Sequence, residues 1–531
     1  MAELDAKSLE SLVRDKMLTE WRRERTRLDL IDRWYRWDPV ETRLPAGATR
    51  ELKALRELSR VPWLGLVVTS TAQCMYVDGY RSSLDPVKAK YSPDELGSLD
   101  PDAPPPGPSK PEPPVGPWKV WLQNGWDQRQ IAVHRAMLAY GYSYATALPG
   151  KDFLGKPMPV IRGISPRKMY AVYEDKAADD WPEYAMQVLE HKDSGCKLLV
   201  FDEEIIYRIE IDFRPGMGAN GFRLINAEPH DSAVCPVVRY TNELDLDGRT
   251  PGEIEPHIPL AARINKTSYD RMLVQHFNSW KIRWVTGMAE PDTQESANRK
   301  KLQLRQDDVL VAEDPDTKFG SLPETPLQGF IQAHTADVES LAAVTQTPAH
   351  ELTGSMVNLS AEALAAARAS LTQKVYERQK YAGGGHVQLL RLAAGLQGDE
   401  KHAQDFTGRV TWQDTSIRSL AQAVDALGKA AQMLQVPVEA LWGRIPGVER
   451  QEVEEWIELS KAQDPIERLQ YEIARQAAGG QPPALPAAPG APAAPARPAP
   501  GAAPAGRTPP KPKGLPGHDP SSRQPAGSRT G

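Results

Sequence analysis

Between residues 255 and 396 the apolar side chains recur at three- and four-residue spacing along three segments, and that spacing predicts three long helices. The first covers 259–285, with Ala261, Ile264, Met272, Phe277, Trp280 and Trp284 on one stripe and Ser268 as its one lapse. At 1.5 Å per residue it makes a rod of about 40 Å. Pro259 stands near the first turn, where a proline is tolerated, and Gly287 follows the last periodic residue as a stop. The second helix is expected over 327–344, with Phe330, His334, Val338 and Leu341 on its stripe, ending before Thr347-Pro348. The third starts at Ser360, an N-cap residue with Glu362 in the first turn. It carries Leu364, Leu371 and Val375 and is expected to break at Gly383-Gly384-Gly385. A polar, strand-like insert (287–326) separates the first two rods, and a short loop, GSMVNLS (354–360), joins the last two.

These segments, read as HIPLAARINKTSYDRMLVQHFNSWKIRWVTGM, VAEDPDTKFGSLP and TPAHELTGSMVNLSAEAL, resemble the stem, clip and tunnel loop of bacteriophage portal proteins. Those proteins form the ring at one capsid vertex of tailed double-stranded DNA phages. The resemblance extends upstream through WLQNGWDQRQIAVHRAMLAYGYSYA, ISPRKMYAVYED and CPVVRYTNE, so it covers most of the chain to about residue 460. Many portals carry a Tyr-Tyr-x-Gly element after the first helix; here RWYRWDP stands in that place. The resemblance implies an α+β portal fold: a mixed wing (1–256), stem helices (257–286 and 327–347), a small α/β clip (287–326), a tunnel-loop region (348–360), a long helix returning to the wing (361–411) and a helical crown (412–476). It also implies a homo-oligomeric, dodecameric ring in the virion, assembled in host cytoplasm. Partners would be duplex DNA in the channel, the terminase large subunit, major capsid and scaffolding proteins and a head–tail adaptor, with no cofactor and no catalysis.

Composition sets limits on this reading. A net charge of −6 on 531 residues excludes a chain-wide basic surface, so any relation to DNA is local or non-adhesive. Three widely spaced cysteines, Cys74, Cys196 and Cys235, suit a reducing compartment better than a disulfide framework. There is no apolar run of membrane-spanning length, and the N-terminus is charged from its third residue, which supports neither a membrane span nor a signal peptide.

Before the rods, residues 9–37 read as an amphipathic helix, whose RRERTR run (22–27) is better read as a solvated face with Glu24 and Asp29 than as a nucleic-acid patch. A charged helix is expected at 49–60, followed by an apolar stretch (61–77) that periodicity leaves open between helix and strand. Residues 82–117 are rich in Pro, Asp and Ser and read as an exposed linker. A helix from Trp118 then leads into YSYATAL, PVIRGI, KMYAVYE, YAMQVLE, KLLVFD, IIYRIEIDF and GFRLINAE, seven strands of a largely antiparallel sheet region. After 396 the pattern is largely helical again. Residues 477–531, mostly Pro, Ala and Gly with scattered Arg and Lys and almost no large apolar side chain, lack the apolar surface to offset ordering entropy and are expected to be disordered.

Several motifs for small-molecule chemistry fail on inspection. Residues 150–156 fit the first seven places of the phosphate-cradling P-loop, but Pro157 removes the Mg²⁺-binding hydroxyl and a backbone donor, and a strand pattern follows where a helix is required. Gly216, Gly218 and Gly221 have dinucleotide-fold spacing but precede a strand. His350-Glu351 lacks a second histidine, and Asp245 and Asp247 beside Gly248 read as a polar turn. His334, on an apolar stripe, reads as a packed histidine.

In a ring, each side chain becomes a circle of charge or bulk. The first rod bears Arg263, Lys266, Arg271, Lys281 and Arg283 against Asp270, whereas no Lys or Arg occurs between Lys318 and Arg368. Carboxylate rings repel phosphate and let DNA slide. Asp337 and Glu339 are therefore channel-wall candidates, with pairing between the rods as the local alternative. The resemblance places Gly354, Ser355, Met356, Val357, Asn358 and Leu359 in the tunnel loop. Phe277, Trp280, Trp284, Phe330, Val338 and Leu341 are stem-packing candidates, and Arg299, Lys300, Lys301, Arg305, Asp307 and Asp308 are candidates for docking clip partners. A helical virion adaptor without DNA contact, or a nucleotide-dependent enzyme around Lys156, are the competing functions.

Overall fold

The computed structural model describes residues 5–38, 44, 46–82, 116–214, 221–279, 283–286, 316, 318–321, 325–354, 361–413, 420–445, 448 and 450–463. All belong to one unit, Met1–Glu467; the remaining unit, Arg468–Gly531, which includes the expected disordered tail, lies outside the described residues.

The N-terminal segment is a continuous helical rod made of α1 (Ala6–Ser11), a π-helical stretch (Leu12–Met17) and α2 (Leu18–Tyr35). Asp5 caps it, its carboxylate accepting from Ser8 N at 3.1 Å. The RRERTR run is partly neutralised within the chain: Arg27 pairs with Glu24 and Glu255, and Arg25 lies over Trp21. Thr49 caps α3 (Arg50–Leu58). The undecided apolar stretch resolves as α4 (Trp63–Ala72) followed by β1 (Val77–Arg81).

The helix expected from Trp118 is two helices, α5 (Pro117–Gln123) and α6 (Trp126–Tyr140). Asn124 makes the break: its amide donates to Val120 O and Pro159 O and accepts from Ile161 N, fixing the corner to the neighbouring strand. Next come β2 (Tyr142–Lys151), β3 (Pro157–Ile164), β4 (Met169–Val172), β5 (Tyr184–Lys192), β6 (Gly195–Phe201), β7 (Ile205–Asp212), β8 (Phe222–Pro229) and β9 (Val237–Thr241). They form a three-stranded sheet, β3-β2-β9, and a five-stranded sheet, β4-β5-β6-β7-β8, with every pairing antiparallel. Gly141, at φ 92°, lets the chain turn from α6 into β2 against residues 250–252. A Cβ there would stand 2.0 Å from Thr250 O, so only glycine fits.

Then follow α7 (Ile258–Asn278), β10 (Arg283–Thr286), β11 (Lys318–Ser321), α8 (Gln328–Val344), α9 (Ala349–Thr353), α10 (Ala361–Leu396), α11 (Glu400–Ala403), β12 (Arg409–Trp412), α12 (Leu420–Leu434), α13 (Glu439–Trp442) and α14 (Arg450–Gln463). The fold class is α+β.

Two expectations are corrected here. The first rod ends at Asn278, not Val285, and 283–286 is a strand paired with 318–321, Trp284 opposite Gly320. Ser279 closes the helix, its N–H donating to Gln275 O, while the Asn278 amide donates to Thr325 O at 2.9 Å and turns the chain toward the returning helix. The triple glycine does not interrupt the third rod. α10 runs through Gly383-Gly384-Gly385 for 36 residues, because this helix lies close to other elements: a Cβ on Gly385 would meet the Tyr240 ring at 2.9 Å, and one on Gly383 would meet Val410 at 3.4 Å.

Three apolar clusters hold these elements. The largest joins α2, α4, α5, α6, α7, α8 and α10 with β2 and β9, through side chains such as Trp34, Val67, Trp121, Met137, Ile264, Leu341 and Leu389. A second packs Leu9, Val13, Met17 and Trp21 of the N-terminal rod on the five-stranded sheet. The third lies between the two sheets, around Tyr144, Met169, Phe201 and Val237. α10 is thus central to the main core, and β12, after it, returns to pair with β1 (Val77↔Trp412, Arg81↔Arg409).

Candidate channel site at the helix junction

α7 and α8 run antiparallel: positions 263 and 267 meet 337, and 278 meets 325. Val338, Leu341 and Ala342 are buried along the seam. Phe330 is half-buried, whereas Phe277 is exposed within the chain. Trp280 lies outside the described residues. His334 packs its ring 6.2 Å from that of Trp63; burial first, and then nearby Arg271, lower its proton affinity.

The two acidic candidates have different surroundings. Asp337 accepts from Arg263 Nε at 3.0 Å and from the Thr267 hydroxyl at 3.2 Å, so its carboxylate is engaged between the rods. Glu339, two residues on and about 200° around the helix, is exposed. The local alternative of pairing between the rods therefore describes Asp337 within the chain, and Glu339 keeps a free face.

α8 ends at Thr345; Gln346 adopts φ 53°, and the chain turns through Thr347-Pro348 into α9. Gly354 terminates α9 in the left-handed conformation, φ 67°, its N–H donating to His350 O. The rest of the tunnel-loop set, 355–359, and the clip candidates at 299–301, 305 and 307–308 lie outside the described residues. Across the loop, Arg368 Nε donates to Glu351 at 3.0 Å, tying α9 to the start of α10.

About two to three turns further along α10 lies a cluster that the sequence reading did not single out. Glu253, in the approach to α7, is 5% exposed and accepts from Lys374 Nζ at 3.3 Å and Arg378 Nε at 3.0 Å. Lys374 also donates to Thr345 O at 2.7 Å, capping the C-terminal end of α8, where a cation is favoured. Arg378 reaches outward to Glu243 at 3.2 Å. Burial alone would raise the Glu253 pKa, but the two cations outweigh it and hold it below the usual carboxylate range. Lys374 is lowered, because burial exceeds what Glu253 returns. This cluster ties the approach to α7 and the C-terminal end of α8 to the middle of α10. Its signal was present: Lys374 and Arg378, four apart, share the face of Leu371 and Val375, and charge on an apolar stripe marks a buried partner.

The rejected motifs have plain structural roles. Residues 152–156 are the β2–β3 hairpin turn, with Asp152 accepting from Leu154 N and Lys156 N, and Pro157 starts a strand. Asp245 and Asp247 engage Arg249 in a polar turn. Residues 215–220 lie outside the description, but β7 and β8 on either side pair directly. All three cysteines are free thiols. Among the described residues no cluster of three or more His, Cys, Asp or Glu is arranged for a metal, and no helix is long and apolar enough to cross a membrane.

Comparison with known proteins gives the same direction. The family model for phage portal protein, SPP1 Gp6-like, matches residues 14–465. A portal protein of Mycobacterium phage D29 is 24% identical over 439 residues, covering 79% of this chain and 82% of its own length. A match across most of the 531 residues, including both sheets and all three rods, is the extent expected of a shared whole architecture, and the chain belongs to the SPP1 Gp6-like family of phage portal proteins.

Proposed function

We propose that this chain is one subunit of a ring at a single capsid vertex, through which double-stranded DNA is packaged and ejected. The observation that carries this is the family match over 14–465 laid on the geometry of the rods: an antiparallel helix pair, a tight left-handed exit at Gly354 and a long returning helix locked to both by Glu253. In a ring, α7 and α8 form the stem, 354–360 the constriction, and 279–326 the clip that docks the terminase and then the head–tail adaptor. The sheets before residue 256 face capsid and scaffolding proteins. The ring itself performs no chemistry; the terminase supplies ATP hydrolysis. Glu339, exposed on a helix that lacks any Lys or Arg, lines the channel and keeps phosphate from adhering.

Negative-stain imaging of the purified full-length protein, with light scattering on the same sample, tests this. Rings with a central opening wide enough for a duplex are expected. A monomer or dimer that persists at high concentration would overturn the ring.

A further inference from the structure

α2, the turn between β3 and β4, and the outer end of β5 enclose an open cleft of about 620 Å³. Its walls carry Arg25 from α2 and Arg36 at its C-cap, Ser165, Arg167 and Lys168 from the turn, and His191 from β5, and among the described residues no Asp or Glu lines it. Two carboxylates outside the lining pair with this basic wall, Asp32 largely buried and Asp29 partly exposed. Asp32 lies 2.8 Å from Arg167 and 2.9 Å from Arg36; Asp29 lies 2.7 Å from Arg167 and 3.5 Å from Arg25. Four permanent cations against two carboxylates leave an excess of positive charge facing the opening.

That excess is available to a ligand. Lys168 is exposed and forms no ion pair with any described residue, and the Arg36 side chain is 68% exposed beyond its contact with Asp32. Glu190, next to His191 in the chain, is engaged by Lys192 and Lys197 instead. The field is felt locally: after burial, Arg22 and Arg25 are what lower the proton affinity of His191.

We propose that this cleft is an anion site that takes a phosphate group. The guanidinium groups already hold carboxylates that do not line the cleft, so a further ligand meets their remaining N–H bonds and the Lys168 ammonium together. A group with three or four oxygens and up to two charges uses several such donors at once, whereas a single carboxylate satisfies one fork. The phosphate comes either from the backbone of duplex DNA or from free inorganic phosphate. The site lies among the sheets rather than at the rod junction and stands independently of the channel reading.

The test uses full-length protein in phosphate-free buffer at fixed ionic strength. Thermal unfolding is followed with and without inorganic phosphate, and a labelled short duplex is titrated by fluorescence anisotropy at several salt concentrations. Wild type is compared with the double variant Arg36→Ala/Lys168→Ala and with Lys168→Glu alone, which changes only one exposed side chain. Loss of the phosphate-induced shift in both variants is expected. If DNA is the source, duplex affinity also falls at least ~5-fold in the double variant and the log–log salt slope drops by about 2. If the phosphate shift is lost but duplex affinity is unchanged, the ligand is free phosphate. Wild type and variants behaving alike in both assays would overturn the site, as would variant-sensitive binding of polyglutamate without any response to phosphate or duplex.

Discussion

The Nε2 atoms of His134 and His386 face each other at 2.7 Å, in side chains that solvent does not reach. With both rings neutral, their partners fix every proton. His134 Nδ1 lies 3.1 Å from Met75 O and so carries hydrogen, leaving its Nε2 bare. His386 must then donate from Nε2, and its Nδ1 accepts from the Tyr240 hydroxyl at 3.0 Å. The chain Tyr240 to His386 to His134 to Met75 is complete with both rings neutral, and it links α6, α10 and β9.

Acid should therefore loosen the fold here. Burial pushes His134 down to about 4 from the ordinary 6.5, and burial and then His134 lower His386. The unfolded chain takes up these protons first, so stability is fully present above about pH 6.5 and is lost as pH falls toward 4. For His134 this amounts to about 3 kcal/mol. Guanidinium unfolding midpoints at pH 7 and pH 5 should drop for wild type and drop less for His134→Gln, whatever the variant's absolute stability. Equal pH dependence in the two proteins would refute the assignment.

Adjacent glycines of α10 should respond to alanine with opposite signs. A Cβ on Gly385 meets the Tyr240 ring at 2.9 Å, and that ring is pinned by its hydrogen bond to His386, so it cannot swing aside. A Cβ on Gly384 meets nothing within 4 Å. Gly384→Ala should gain up to ~1 kcal/mol of helix propensity, while Gly385→Ala loses more than that to overlap. Thermal midpoints that move in the same direction would contradict this account.

These glycines also show where sequence stops being sufficient. Local propensity made Gly383-Gly384-Gly385 a break, and nothing within ten residues reveals that Tyr240 lies against them. The seven strands and the second rod were legible because their signals are local: alternation, and an apolar stripe stopped by Thr347-Pro348. At the end of the first rod two local signals conflicted. Phe277, Trp280 and Trp284 continue a helical stripe, yet Arg-Trp-Val-Thr is rich in strand formers, and pairing with 318–321 decided for the strand. At the candidate site, the acidic pair was visible, but which carboxylate turns inward depended on Arg263 lying a helix away.

Removing the central carboxylate of the buried cluster should be more damaging than removing one of its cations. Glu253→Gln leaves Lys374, 4% exposed, without a carboxylate, and Arg378, 9% exposed, with only the outer Glu243 and Glu377 to oppose it among the described residues. A loss of roughly 3–5 kcal/mol is expected. Lys374→Met leaves Glu253 still paired with Arg378 and uncaps Thr345 O, and should cost less. Denaturant midpoints in the order wild type, Lys374→Met, Glu253→Gln are the expected result, and the reverse order of the two variants would show that Glu253 is not the centre of the cluster.

Asp337 and Glu339 allow the channel proposal to be tested at single residues. Asp337 is engaged with Arg263, whose side chain is 57% exposed, so Asp337→Asn should cost no more than ~1 kcal/mol and leave duplex retention by rings unchanged. Glu339→Lys replaces an exposed carboxylate with a cation in every subunit, at a position that makes no ion pair with a described residue, and should leave stability close to wild type. If Glu339 faces the channel, these rings should hold duplex DNA more tightly at low salt, with a steeper salt dependence than wild type, since each added phosphate contact releases counterions. Anisotropy of a labelled duplex, titrated with salt on purified rings, reads both quantities. Identical curves for wild type and Glu339→Lys would place that residue on the outer face of the stem and leave the channel wall to α7.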